Sequence, residues 1–69
     1  MRFAVEQQSD EQEWASCGTA EASTPPDALA AVAEEAGRYR AREDGSDGAW
    51  EVFDVSPGEG GRMNIVSVF

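Results

Sequence analysis

The spacing of apolar and polar positions changes period along this chain, and each change marks an element. Arg2-Phe3-Ala4-Val5-Glu6 alternates, placing Phe3 and Val5 on one side, and predicts a strand. Gln7 to Gln12 is polar throughout and predicts a turn or loop. Glu13-Trp14-Ala15-Ser16-Cys17-Gly18-Thr19-Ala20 predicts a second strand, weakened by its small side chains, and the two strands make a hairpin.

The period then becomes helical. Thr24-Pro25-Pro26-Asp27 supplies a capping hydroxyl, a proline where no amide hydrogen is required, and an acid in the first turn. Ala28, Leu29, Val32, Ala33 and Ala36 then share one face, while Asp27, Glu34 and Glu35 point away, with Gly37 expected as the helix stop. A face of mostly alanine lets the helix backbone lie close to a sheet.

After Gly37 the period falls to two. Arg38 to Glu43 and Ala49 to Val55 predict two strands joined by Asp44-Gly45-Ser46-Asp47-Gly48, which is rich in turn formers. Ser56 to Gly61 reads as a break, and Met63 to Phe69 as a final strand. The resulting order, β-β-α-β-β-β, predicts an α+β fold: one domain over residues 1–69, mainly antiparallel, with one helix packed on one face of the sheet. The last strand has neither Pro nor a charge after Met63, and is expected inside the sheet or paired with a second copy.

Arg38, Arg40 and Arg42 alternate with Tyr39 and Ala41, so the three arginines project from one face of a strand. A four-residue loop from Gly45 to Gly48 would pair Asp44 with Ala49. That register places Arg42 opposite Glu51, Arg40 opposite Phe53 and Ala41 opposite Val52. Tyr39, Ala41, Trp50 and Val52 would then lie under the helix, leaving Arg38, Arg40, Arg42, Glu51, Phe53 and Val55 on the outer face. Cross-strand pairing with Glu51 and neighbouring acids would explain the arginines as a solvated surface. Phe53 and Val55, however, are too apolar for a face meant only for water, and Arg beside Phe is enriched at interfaces. Arg38, Arg40, Arg42, Phe53 and Val55 are therefore the candidate partner-binding surface, on the condition that Phe53 shares the arginines' side.

Charge narrows the partners. The chain has 69 residues and a formal charge of −9, and its five basic residues are all Arg. This balance repels nucleic acid and anionic membrane, favours solubility, and speeds encounter with a basic protein. A domain of this size hides only roughly 60% of its unfolded surface, so pairing with a second copy would help it. No stretch is apolar enough to span a membrane and the N-terminus has no secretory pattern, which predicts a cytoplasmic protein. The absence of Lys with abundant Ala, Gly and Arg suggests a bacterial or phage genome.

Chemistry is sparse. There is no His, the commonest general base and metal ligand. The single Cys17 forms no internal disulfide and has no neighbour to lower its pKa, so it is expected as a small buried or half-buried thiol. The acids at Asp10-Glu11-Gln12-Glu13 and Glu43-Asp44-Gly45-Ser46-Asp47 lack the spacing of a calcium loop, and Ser56 to Gly61 lacks the lysine of a phosphate loop. No catalytic, metal or cofactor residue and no small-molecule substrate is expected.

Cys17-Gly18-Thr19-Ala20 through Thr24-Pro25-Pro26-Asp27-Ala28-Leu29-Ala30 resembles the strand-to-helix passage of HicB-like antitoxins, where a hairpin leads into a Thr-Pro-started helix. The DNA-binding tail such antitoxins usually carry has no counterpart here. The sequence thus predicts a small acidic, non-enzymatic interaction module acting through the outer sheet face, alone or as a homodimer. The alternative is an acidic inhibitor or nucleic-acid mimic, antitoxin-like or phage-type. It would present Glu34, Glu35, Glu43, Asp44 and Asp47 to a basic protein.

Overall fold

A computed structural model of the chain describes residues 1–68. Five strands, β1 (Arg2–Gln8), β2 (Trp14–Glu21), β3 (Gly37–Glu43), β4 (Glu51–Pro57) and β5 (Met63–Ser67), form one antiparallel sheet in the order β2-β1-β3-β4-β5. One helix, α1 (Pro25–Val32), crosses a single face of it. The α+β architecture expected from the pattern is the architecture found. Phe69 lies outside the described residues, so the expected strand is seen only as far as Ser67.

The helix starts where its capping chemistry places it. Thr24 is extended (φ −140°, ψ 156°), its hydroxyl accepts from the Asp27 amide at 3.4 Å, and Pro25 and Pro26 occupy the first two positions. It ends four residues sooner than the apolar period predicts, at Val32 rather than Ala36. Glu34 and Glu35 would bring negative charge to the carbonyl end of the helix dipole, and no basic residue stands in the last turn to offset it. The connector is instead tied down by the Tyr39 hydroxyl, which donates to the Glu35 carbonyl at 2.8 Å. Gly37 is therefore the first residue of β3, not a helix stop. Its φ is +155°, and a Cβ there would sit 3.2 Å from Gln7 Nε2.

Under α1, a core forms from Phe3 and Val5 of β1, Tyr39 and Ala41 of β3, and Phe53 and Val55 of β4, closed by Ala28 and Leu29. None is more than 5% exposed. An eight-residue helix is about 12 Å long, whereas the outer strands of a five-stranded sheet lie about 19 Å apart. The far rim is consequently less well covered, and Met63 and Ile65 of β5 are only half-buried.

Two expectations about the sheet need correction. The β3–β4 register pairs Tyr39 with Phe53 and Arg40 with Val52, one residue away from the tight-loop register, with Ala41–Glu51 as its last pair. A slip of one residue turns every side chain of the strand over. Trp50 and Val52 therefore leave the helix side, while Phe53 and Val55 enter it. The cause is a longer loop than four residues: the Asp44 amide bonds back to the Arg2 carbonyl at 2.8 Å, and the Ser46 amide to the Glu43 carbonyl at 3.0 Å. The second correction concerns the last strand: of the two places expected for it, the one inside the sheet is not found, since among the described residues it pairs only with β4 and forms the edge of the sheet.

Candidate functional site

Alternation from the core residues fixes what the open face carries. Opposite Phe3, Val5, Tyr39, Ala41, Phe53 and Val55 lie Ala4 and Glu6 of β1, Arg38, Arg40 and Arg42 of β3, and Val52 and Asp54 of β4. The three arginines stand together on the outer face, as their spacing predicts. Phe53 and Val55 do not join them: each is 3% exposed beneath α1. The surface expected from the sequence, arginines beside Phe53 and Val55, does not exist.

A different constellation takes its place. The Arg40 guanidinium stacks on Trp14 at 4.5 Å and on Trp50 at 4.3 Å from the ring centroids, and Arg42 stacks on Trp50 at 4.2 Å. All three distances fall inside the range in which a cation is attracted to the negative face of an indole. Trp14, Arg40, Trp50 and Arg42 thus form one ladder across the open side. Trp14 opens β2, and Trp50 ends the β3–β4 loop, whose length decides that its ring turns to this face. Sequence reasoning had assigned Trp50 to the core and given Trp14 no role. The available signal was that Trp14, like the arginines, is far too large to be balanced by its small-residue strand.

Carboxylates complete two of the three arginines. Arg40 Nε donates to Glu6 Oε1 at 2.7 Å, and both side chains are only about a quarter exposed (24% and 23%). Arg38 grips Asp54 through both oxygens, at 2.9 and 3.4 Å, in a more open position. The Arg38 hydrogen bond holds the Asp54 carboxyl below its ordinary pKa and raises that of Arg38. Arg42 differs. Its Nη1 donates to the Gly48 carbonyl at 3.2 Å, and among the described residues no carboxylate lies within ion-pair distance.

The acids of the inhibitor reading are divided. Glu34 and Glu35 precede β3, and Glu43, Asp44 and Asp47 lie at or beyond its other end, separated by a strand of about 20 Å. They make two acidic ends rather than one patch. Among the described residues, no group of three or more His, Cys, Asp or Glu is arranged to hold a metal ion. No described helix is long and apolar enough to cross a membrane.

Cys17 is exposed, not buried or half-buried as expected. It is the extra residue of a bulge in β2, where Val5 faces Gly18 and Glu6 faces Ser16, and Gly18 takes φ +112° to make the kink. Partial covering of its sulfur, and then the nearby carboxylates Glu35, Glu6 and Glu34, outweigh a backbone hydrogen bond from Gln7 and raise the thiol's pKa. The thiolate needed for nucleophilic attack is therefore disfavoured.

Compared with protein-family models, curated proteins and solved structures, the chain matches none. The likeness of residues 17–30 to an antitoxin passage remains a likeness of helix-start chemistry.

Proposed function

We propose that this chain is a small, cytoplasmic, non-enzymatic interaction module that binds another protein through the open face of its sheet. One observation carries the reading: the Trp14–Arg40–Trp50–Arg42 ladder, which ends in an arginine that has no carboxylate mate among the described residues. Tryptophan and arginine are the residues most enriched among interface hot spots. Here their side chains are held before any partner arrives, so less rotamer freedom is lost on binding. Val52, half-buried beside them, adds apolar area.

The partner's chemistry follows from what is unfilled. Arg38 and Arg40 already hold Asp54 and Glu6, so the opening is for one carboxylate at Arg42, flanked by apolar or aromatic groups that lie along the indoles. A broadly acidic partner would be repelled by the charge of −9. Nucleic acid is opposed by the same charge, and the Trp50 ring that would stack a base already carries two guanidiniums.

Titration with two short peptides, one of Ala and Glu and one of Ala and Lys, followed by amide and indole NMR signals, tests the proposal. The glutamate peptide should move the Trp50 indole and the Arg42 amide, and Arg42→Gln should abolish that response while the fold persists. Perturbation by the lysine peptide alone, at Glu34–Glu35 or Glu43–Asp47, would instead establish the acidic-inhibitor reading. Silence at Trp14 and Trp50 with the glutamate peptide removes the proposed function.

A further inference from the structure

The two edges of the sheet are unlike. Along β2 the bulge at Cys17 and the glycine kink at Gly18 break the regular ladder, and charges flank the strand at Glu13 and Glu21. Those are the features by which edge strands avoid pairing with other chains. Along β5 there is neither bulge nor glycine kink: its register with β4 is unbroken from Pro57–Met63 to Phe53–Ser67, Asn64-Ile65-Val66 is uncharged, and the one flanking charge is Arg62, just before the strand.

The hydrogen-bond phase says which backbone groups are on offer. The Val68 amide donates to the Val52 carbonyl at 3.0 Å, so residues of even number along β5 bond inward to β4. The backbone groups of Met63 and Ile65 consequently point out of the sheet. Apolar surface lies on both sides of this rim. On the open face Val66 is 54% exposed, and on the helix side Met63 and Ile65 are incompletely covered by the short helix.

We infer that β5 is a self-pairing edge, on which a second copy adds its own β5 antiparallel and centred on Ile65, making one continuous sheet of two chains. A two-fold contact must be self-complementary, and this rim is: Val66 beside the uncharged Asn64 above, Met63 and Ile65 below, and no charge from Asn64 to Val66. In a chain of −9, the strand Met63–Ser67 carries no Asp or Glu to oppose those of a second copy. Asp54, on the neighbouring strand, is already held by Arg38, and Glu59 lies outside the strand in a short 3-10 turn. In the proposed register Ile65 exchanges amide-to-carbonyl bonds with its mate, and Asn64 faces Val66 of the second copy. This pairing rests on the edge and is independent of the ladder.

Sedimentation velocity over a concentration series reads the association. The expected result is a monomer–dimer equilibrium that tightens as salt rises, because screening weakens the repulsion between two acidic chains. Val66→Lys, at an exposed position, is expected to weaken the dimer by about tenfold or more through lost apolar contact. The response of the Trp50 indole to the glutamate peptide should be unchanged in that variant, so failure of the edge and failure of the ladder are told apart. Under oxidation, Asn64→Cys/Val66→Cys on a Cys17→Ser background should form a disulfide-linked dimer, because these positions would be a close non-hydrogen-bonded pair. A folded wild-type chain that sediments as a monomer at every concentration and salt overturns the inference. So does a dimer that Val66→Lys leaves intact.

Discussion

On the helix side of the sheet, Phe3, Val5, Tyr39, Ala41, Phe53 and Val55 are at most 5% exposed and carry one polar side-chain atom among them, the Tyr39 hydroxyl. On the other side the same three strands present Ala4, Glu6, Arg38, Arg40, Arg42, Val52 and Asp54. The first face excludes water by means of α1. The second, lacking a helix, is roofed by its own long side chains, with arginine stems and indole rings lying across it. The difference concerns how stability is obtained. Burial of apolar area dominates on one side, whereas on the other stacking and charge pairing leave polar tips available to a partner.

The sharpest break of this comparison is a matched pair on β4. Phe53→Ala opens the covered core and is expected to cost about 3–5 kcal/mol. Val52→Ala, one residue away and half-buried on the open face, should cost well under half as much. For a chain of this size the total stability is of the order of 5 kcal/mol, so Phe53→Ala should leave much of the protein unfolded at 25 °C. Urea unfolding followed by circular dichroism measures both. Equal costs would mean that the two faces are not distinguished as described.

Much of the fold was legible because several signals agreed. At Thr24-Pro25-Pro26-Asp27 cap, proline and acid all indicate one helix start, and at Phe3 and Val5 only one phase of the strand is apolar. β4 offered no such agreement. Trp50 and Val52 in one phase, and Phe53 and Val55 in the other, are both credible core pairs. The choice depends on loop length, which is set by the Asp44–Arg2 and Ser46–Glu43 backbone bonds and by Trp50 finding guanidiniums to stack on. The Ser46–Glu43 bond is a local turn, but the Asp44–Arg2 bond and the indole stacking are tertiary contacts that no local pattern contains. The arginines of the candidate site were legible for the opposite reason, since strand alternation alone puts Arg38, Arg40 and Arg42 together. Their aromatic partners were not, because Trp14 reaches Arg40 across β1, the strand between them.

A double-mutant cycle sharpens the open side of the comparison. Arg40→Met removes two stacking contacts and leaves Glu6 unpaired, and should cost about 1–3 kcal/mol. Combined with Trp14→Ala, the interaction energy should be about 0.5–2 kcal/mol. The same cycle between Arg38 and Trp14 should give none, since no stacking joins them. Additivity in both cycles would reduce the ladder to side chains that are merely adjacent.

The smallest effect belongs to an open pair on that face, Arg38 with Asp54, whose side chains are about half exposed. Hydrogen bonding to Arg38 depresses the Asp54 pKa in the folded chain, so the folded state favours the ionised carboxylate more than the unfolded state does. Whatever the pair contributes is therefore fully present above the ordinary aspartate range near pH 4. It is lost as pH falls through the lower folded value, because protonation then occurs in the unfolded chain first. Carboxyl carbon NMR titration should show Asp54 below the ordinary range and returned to it in Arg38→Gln. The thermal midpoints of the two proteins should converge in acid and differ slightly at neutral pH. The gap should also shrink with salt, as expected for an open pair, whereas the cost of Phe53→Ala should not. A carboxyl that titrates normally beside Arg38 would show the pair too loosely held to help roof the open face, leaving the Trp14–Arg40–Trp50–Arg42 ladder and the Glu6–Arg40 bond to organise it alone.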